Sequence, residues 1–231
     1  MGFYRGPKII TDDLALYLDA ANPKSYPGSG TVWFDLTDYN NNGVLTNGPT
    51  LDSESKGVIS FDGVDDYVTL GNPDSLNITA GITLSTWVNI PLYNRGVFSD
   101  IITKGVSFGG SNASYFISIT YEGRIFLEIV NDSNVRRQIV VSAAVAATYD
   151  GLWTNFTGTY DGGRLTLYIN GVLFSTTLFA SSPIRVRTGN VTIGGTRYLD
   201  GKVSNAMIYE RALTAEEVLQ NYNTTKSRFG L

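Results

Sequence analysis

Apolar and polar side chains alternate with a period of two through most of the chain, the period of half-buried β-strands. Leu14, Leu16 and Leu18 share one face of the first such segment. Further along, Ile82, Leu84, Val88 and Ile90 alternate with Thr83, Ser85, Trp87 and Asn89. Segments 115–121 and 124–130 flank Glu122-Gly123, while 165–169 and 172–176 flank Asn170-Gly171. Asn-Gly between two alternating runs predicts a type I′ hairpin, and a two-residue connection forces its strands to be antiparallel. Shorter strands are expected at 32–34 and on both sides of the turn at 62–66. The period turns helical once. Thr214-Ala-Glu-Glu217 reads as a capping box, and Val218, Leu219 and Tyr222 supply an apolar stripe. This short C-terminal helix is expected to close one end of the β-structure.

No linker divides the chain and no repeat is visible, so residues 12–231 are expected to form one domain. Residues 1–11 read as an arm, because Gly6 and Pro7 interrupt any period around Phe3, Tyr4 and Arg5. That arm either frays or docks on a partner chain. Hydrophobic residues make up 42% of the sequence and charged residues 16%, a balance that suits strands and turns over charged helices.

The chain contains neither cysteine nor histidine. Thiol nucleophiles, disulfides, Ser-His-Asp hydrolysis and His- or Cys-based metal sites are therefore excluded. A net charge of −4 argues against a broad grip on nucleic acid. No apolar stretch is long enough to span a membrane, and residues 1–10 do not resemble a secretory leader. Arg136-Arg137 and Arg185/Arg187 are local cationic exceptions, expected to face solvent.

Two kinds of binding chemistry remain open. Asp62, Asp65, Asp66 and Asp200 stand beside glycines at strand ends, where carboxylates and carbonyls can converge on calcium. They can equally accept backbone N–H groups in Asx turns. Asp66, held at the start of Tyr67-Val68, is the preferred ligand with Asp62 and Asp200, and Asp65 is expected to point to the other side of the chain. Trp87, Tyr115, Trp153 and Tyr198 are the candidate faces for a sugar, with core packing as the competing role of each.

Phe61-Asp-Gly-Val-Asp-Asp-Tyr-Val68, Leu84-Ser-Thr-Trp87-Val88, Thr159-Tyr-Asp-Gly162 and Leu167-Tyr-Ile-Asn-Gly171 resemble, in order, the strand motifs of laminin-G-like domains of the concanavalin A-like superfamily. Val191-Thr-Ile-Gly194-Gly195 and the stretch from Leu199 to Thr214 are similar to that family's closing strands. The resemblance covers about residues 12–226 and implies an all-β, two-sheet antiparallel sandwich of jelly-roll topology with one short C-terminal helix. It also implies calcium near such loops, and lectin-like function. The superfamily's hydrolases carry an E-x-D-x-E strand, which this chain lacks, so the resemblance implies a protein that is not an enzyme.

The phrases Arg5-Gly-Pro-Lys-Ile-Ile-Thr and Tyr17-Leu-Asp-Ala-Ala-Asn-Pro-Lys-Ser-Tyr-Pro-Gly28 resemble modules of tailed-bacteriophage virion proteins. They imply a virion structural protein, decorating a capsid or displayed on a tail fibre and assembled in the host cytoplasm. Its expected partners are other virion proteins, further copies of itself and a host-surface glycan. The alternative is a free carbohydrate-binding module.

Overall fold

Among the described residues the alternating segments pair into two antiparallel sheets of eight strands each. The computed structural model describes residues 8–91, 98–106, 112–195 and 197–231. Its strands are β1 (Leu14–Asp19), β2 (Val32–Trp33), β3 (Gly43–Thr46), β4 (Thr50–Asp52), β5 (Val58–Asp62), β6 (Tyr67–Gly71), β7 (Ile82–Asn89) and β8 (Ser99–Gly105). They continue as β9 (Ala113–Ile119), β10 (Ile125–Val130), β11 (Arg136–Val141), β12 (Thr154–Tyr160), β13 (Arg164–Ile169), β14 (Val172–Leu178), β15 (Val191–Ile193) and β16 (Asp200–Tyr209). Among the described residues two α-helices accompany them, the four-residue α1 (Ala143–Ala146) and α2 (Ala215–Thr225). No described helix is long and apolar enough to cross a membrane.

The first sheet runs β14-β13-β12-β7-β16-β5-β4, with β1 also paired to β16. The second runs β11-β10-β9-β8-β15-β6-β3-β2. Their facing sides interdigitate in one core: Ile59, Leu84, Val88, Phe156, Leu167 and Ile208 come from the first sheet, and Val68, Ile102, Ile117, Leu127 and Ile193 from the second. Each such side chain removed from water stabilises the fold by about 1.5–3 kcal/mol before entropy opposes it. The two-layer β-sandwich expected from the resemblance is the observed architecture.

Asn170 and Gly171 have φ of 52° and 73°, the paired positive values that a type I′ hairpin turn needs. Strands β8 and β11 are less regular than the alternation rule demands. Both Ile101 and Ile102 of β8 are buried, because the pairing to β9 shifts between Asp100 and Ile102. In β11, the cations of Arg136-Arg137 have local roles. Arg136 meets Glu128 at 3.0 Å, and the Arg137 guanidinium sits 4.7 Å from the Phe179 ring centre.

Helix α2 departs from expectation in position. It lies across the outer face of the first sheet, where Val218 and Leu213 pack on Leu14, Tyr168, Met207 and Tyr209. Its capping box forms as the sequence predicts, with Thr214 Oγ1 accepting from Glu217 N and Glu217 Oε2 accepting from Thr214 N. The arm is shorter than expected as well. Ile9 and Ile10 pack against the same outer cluster, Ile10 N donates to Asn221 Oδ1 at 2.9 Å, and Tyr209 Oη donates to Ile10 O at 2.9 Å. The packed body thus begins by Lys8, whose carbonyl accepts from Gln220 Nε2. Phe3, Tyr4 and Arg5 lie outside the described residues.

Candidate functional site

Three of the four aromatic candidates are committed to packing, and this corrects the expectation that they offer faces to a ligand. Trp87 does sit on the outer face of the first sheet, but α2 and the following 3-10 turn (Lys226–Phe229) seal it completely. Its ring stacks on Phe229 at 4.2 Å and on Tyr222 at 5.5 Å, and its Nε1 donates to Thr225 Oγ1 at 2.8 Å. Trp153 continues that stack, 4.7 Å from Phe229, while its Nε1 donates to Glu54 Oε1. Tyr115 points into the core, and its hydroxyl donates to Leu76 O at 3.1 Å. The sequence shows that these residues face a polar side or carry a polar tip, and it does not show what lies on top of them.

Tyr198 has the opposite fate. It stays 38% exposed and lines a cavity of about 370 Å³ on the outer face of the second sheet. Tyr67 and Thr69 of β6 and Thr192 of β15 share that cavity with Gly105, Val106, Gly189 and Asn190. The placement follows from register: Thr69 opposes Thr192, and Thr192 opposes Thr103 of β8, so three hydroxyls cross three strands in one row. Gly105 and Gly189 bring the wall together, since a Cβ on Gly189 would stand 2.5 Å from Gly105 Cα. The volume is at the low end of small-molecule pockets, which run from about 300 to 1,000 Å³.

Thr192 Oγ1 and Thr103 Oγ1 are buried and have no hydrogen-bond partner among the described residues. A buried polar atom without a partner costs about 1–3 kcal/mol, so native interiors seldom keep one idle. Thr192 offers both a donor and an acceptor at a cavity flanked by two tyrosines. Such a wall can stack on the C–H face of a sugar ring and bond its hydroxyls. Tyr67, Thr69, Thr192 and Asn190 were not singled out from the sequence. The available signal was the Tyr67-x-Thr69 alternation directly after the aspartate turn.

That turn adjoins the cavity through both tyrosines. Tyr67 follows Asp66, and Tyr198 precedes Leu199, whose carbonyl accepts from Gly63 N at 3.0 Å. Asp62 Oδ1 accepts from Val64 N at 2.8 Å and from Asp65 N, and Asp66 Oδ2 accepts from Asp62 N at 3.1 Å. The Asx-turn role is therefore filled. Those backbone donors, led by Val64 N–H, hold Asp62 below the usual carboxylate range. Asp66 is raised, first by burial and then by the charges of Asp62 and Asp65.

Asp62, Asp65 and Asp66 each present one carboxylate oxygen, all within 4.8 Å of one another. Asp65 thus turns toward the other two, contrary to expectation. Asp200 opposes Asp62 across the β5–β16 ladder and is not part of this trio. Three oxygens on an exposed turn suit a hard cation held mostly by water, well short of the six to eight protein oxygens of a tight calcium site.

Glu128 is the other unusual acid. It lies on the outer face of the second sheet between Phe116 and Gln138 in register, with its side chain fully buried and Arg136 as its partner. Burial pushes its carboxyl up to about 7, while Arg136 pulls the other way. The nearest acid on that face in β8 is Asp100, which accepts from Ser118 Oγ at 2.7 Å. Two strand spacings and one pleat repeat put its backbone roughly 12 Å from that of Glu128. Glycosidases need two carboxyls about 5–9.5 Å apart across an accessible cleft, so this pair does not supply that geometry.

A family model described as the concanavalin A-like lectin/glucanases superfamily, of laminin G type, matches residues 62–219. No curated protein sequence matches the chain. Among solved structures, the binding domain of Paraclostridial Mosquitocidal Protein 1 is similar, with 19% identity and a TM-score of 0.73, over 92% of this chain and 52% of that one. The receptor binding domain of botulinum neurotoxin C/D mosaic serotype superposes with a TM-score of 0.74 at 15% identity, over 93% of this chain and 52% of that one. The botulinum neurotoxin serotype D ligand binding domain in complex with N-acetylneuraminic acid gives 0.73 at 15% identity, over 92% and 51%. The chain spans about half the length of these structures, and at such identities the likeness is one of fold. With the family model covering most of the sandwich, the chain belongs to the concanavalin A-like lectin/glucanases superfamily.

Proposed function

We propose that this chain is a non-enzymatic, lectin-like binding module that contacts a glycan through the cavity between Tyr67 and Tyr198. The observation that carries this reading is the Thr192 hydroxyl, buried without a partner among the described residues at a cavity flanked by two tyrosines. The separation of Glu128 from Asp100, and the absence of histidine and cysteine, support a binding role over a hydrolytic one. A weakly held calcium ion on the 62–66 turn, next to Tyr67, is a secondary part of the reading.

The setting we propose is a bacteriophage virion, as a capsid decoration or tail-fibre module in contact with other virion proteins. The sequence phrases around Arg5 and 17–28 support it. Assembly with further copies of the chain also belongs to this reading. Strand β14 is the edge of the first sheet and exposes Val172, Leu173, Phe174 and Leu178. No charged residue lies between Leu165 and Pro183, so a two-fold pairing of such edges would oppose no like charges. Mass spectrometry of purified particles from the source tests the setting. A fixed, symmetric copy number per particle is expected, and absence of the chain from particles would restrict the proposal to a free carbohydrate-binding module.

A further inference from the structure

We infer that the Tyr67–Tyr198 cavity selects uncharged sugars and rejects sialylated or sulfated ones, an inference that rests on reading the cavity as a glycan site. Among the described residues no cationic side chain lines it: its polar surface comes from the hydroxyls of Tyr67, Thr69, Thr192 and Tyr198 and from Asn190. A carboxylate or sulfate entering this space would lose hydration and gain only neutral hydrogen bonds. Sites that hold such anions normally return that loss with an arginine fork or another charge-assisted donor.

The flanks act in the same direction. Tyr67 follows Asp65-Asp66, and Tyr198 is followed by Leu199-Asp200. Negative charge next to these tyrosines in sequence disfavours an anionic ligand over a neutral one. Two cations adjoin the wall in sequence, Lys104 directly before Gly105 and Arg197 directly before Tyr198. The Lys104 side chain is buried, and its Nζ donates to Asn72 Oδ1 at 2.5 Å and to Gly189 O at 3.4 Å. Those carbonyl oxygens hold the ammonium in the frame of the wall, away from any ligand. The Arg197 guanidinium sits over the Phe98 ring, 4.7 Å from its centre. A neutral polyhydroxyl ligand meets none of these penalties and can supply Thr192 Oγ1 with the partner it lacks among the described residues.

The test is an array of paired glycans that share a neutral core and differ by a terminal sialic acid or sulfate. It is probed with the full chain and with Tyr198→Ala, Thr192→Val and Asn190→Lys. Tyr198 and Asn190 are exposed, and Thr192→Val preserves shape, so thermal melts can establish that each variant folds. We expect signals on neutral cores, a loss of about tenfold in Tyr198→Ala and Thr192→Val, and little signal on the acidic partners. Asn190→Lys should raise binding of the acidic partners. Acidic glycans bound as well as neutral ones, and lost in Tyr198→Ala, would overturn the selectivity while leaving the glycan site standing. Binding that ignores both Tyr198→Ala and Thr192→Val, or no binding at all, would overturn the glycan site and the selectivity with it.

Discussion

The two sheets of this sandwich treat their outer faces differently. On the first, Trp87, Met207 and Tyr209 are sealed by α2, and Trp87 Nε1, Tyr209 Oη and Asn221 all have partners. On the second, a cavity stays open beside Tyr198, and the hydroxyls of Thr192 and Thr103 are buried without partners among the described residues. A face covered in this way contributes stability through its packing, although Asn205 Nδ2 beside Trp87 is itself buried without a partner among the described residues. A face that keeps idle polar atoms at a cavity is the one equipped to meet a ligand.

The comparison predicts its largest effect on the sealed face. Trp87→Ala would remove the centre of the Trp153–Phe229–Trp87–Tyr222 stack and leave a cavity under α2. We expect a loss of about 3–5 kcal/mol by denaturant titration, with sugar binding retained by the protein that remains folded. A near-neutral Trp87→Ala would mean that α2 does not cover this face in solution.

Glu128 gives the next effect, and it depends on pH. Its folded pKa of about 7 stands above the ordinary value of 4.5. Below that ordinary value the acid is neutral in both folded and unfolded chains, and its stabilising protonated state is fully present. As pH rises the unfolded chain loses the proton first, so stability falls until the folded group has also ionised, above about pH 7. The difference is on the order of 3 kcal/mol. Glu128→Gln should flatten the stability profile between pH 5 and 8, and an unchanged slope would contradict the buried placement.

Gly171→Val should cost about 1–3 kcal/mol from positive φ alone. It should cost somewhat more here, because a Cβ at this position would stand 2.9 Å from Tyr222 Cβ under the same helix. A neutral change in melting temperature would refute the turn. The smallest effect belongs to the 62–66 turn. Millimolar calcium should raise the melting temperature slightly, and less so in Asp66→Asn, by linkage to a weak site. Equal melting temperatures with calcium and with a chelator would leave these aspartates their turn-forming role.

Much of the fold was legible because each signal was local. Asn170-Gly171 dictates its hairpin, Thr214 and Glu217 dictate their cap, and the alternation from Ile82 to Ile90 dictates a half-buried strand. What escaped depends on contacts distant in sequence. Nothing near Trp87 reveals that Tyr222 and Phe229 return to cover it. Nothing near β8 reveals the register shift that buries both Ile101 and Ile102. Tyr198 was legible as a candidate and Thr192 was not, because an idle hydroxyl becomes visible once β6, β8 and β15 are laid side by side.

Amide chemical-shift mapping during titration with an uncharged oligosaccharide tests the contrast between the two faces most directly. Perturbations should cluster at Tyr67, Thr69, Asn190, Thr192 and Tyr198 and be lost in Thr192→Val. Those centred instead on the groove beside α2, at Tyr168, Leu173 and Thr176, would contradict that contrast, because the ligand would then occupy the face assigned here to stability alone.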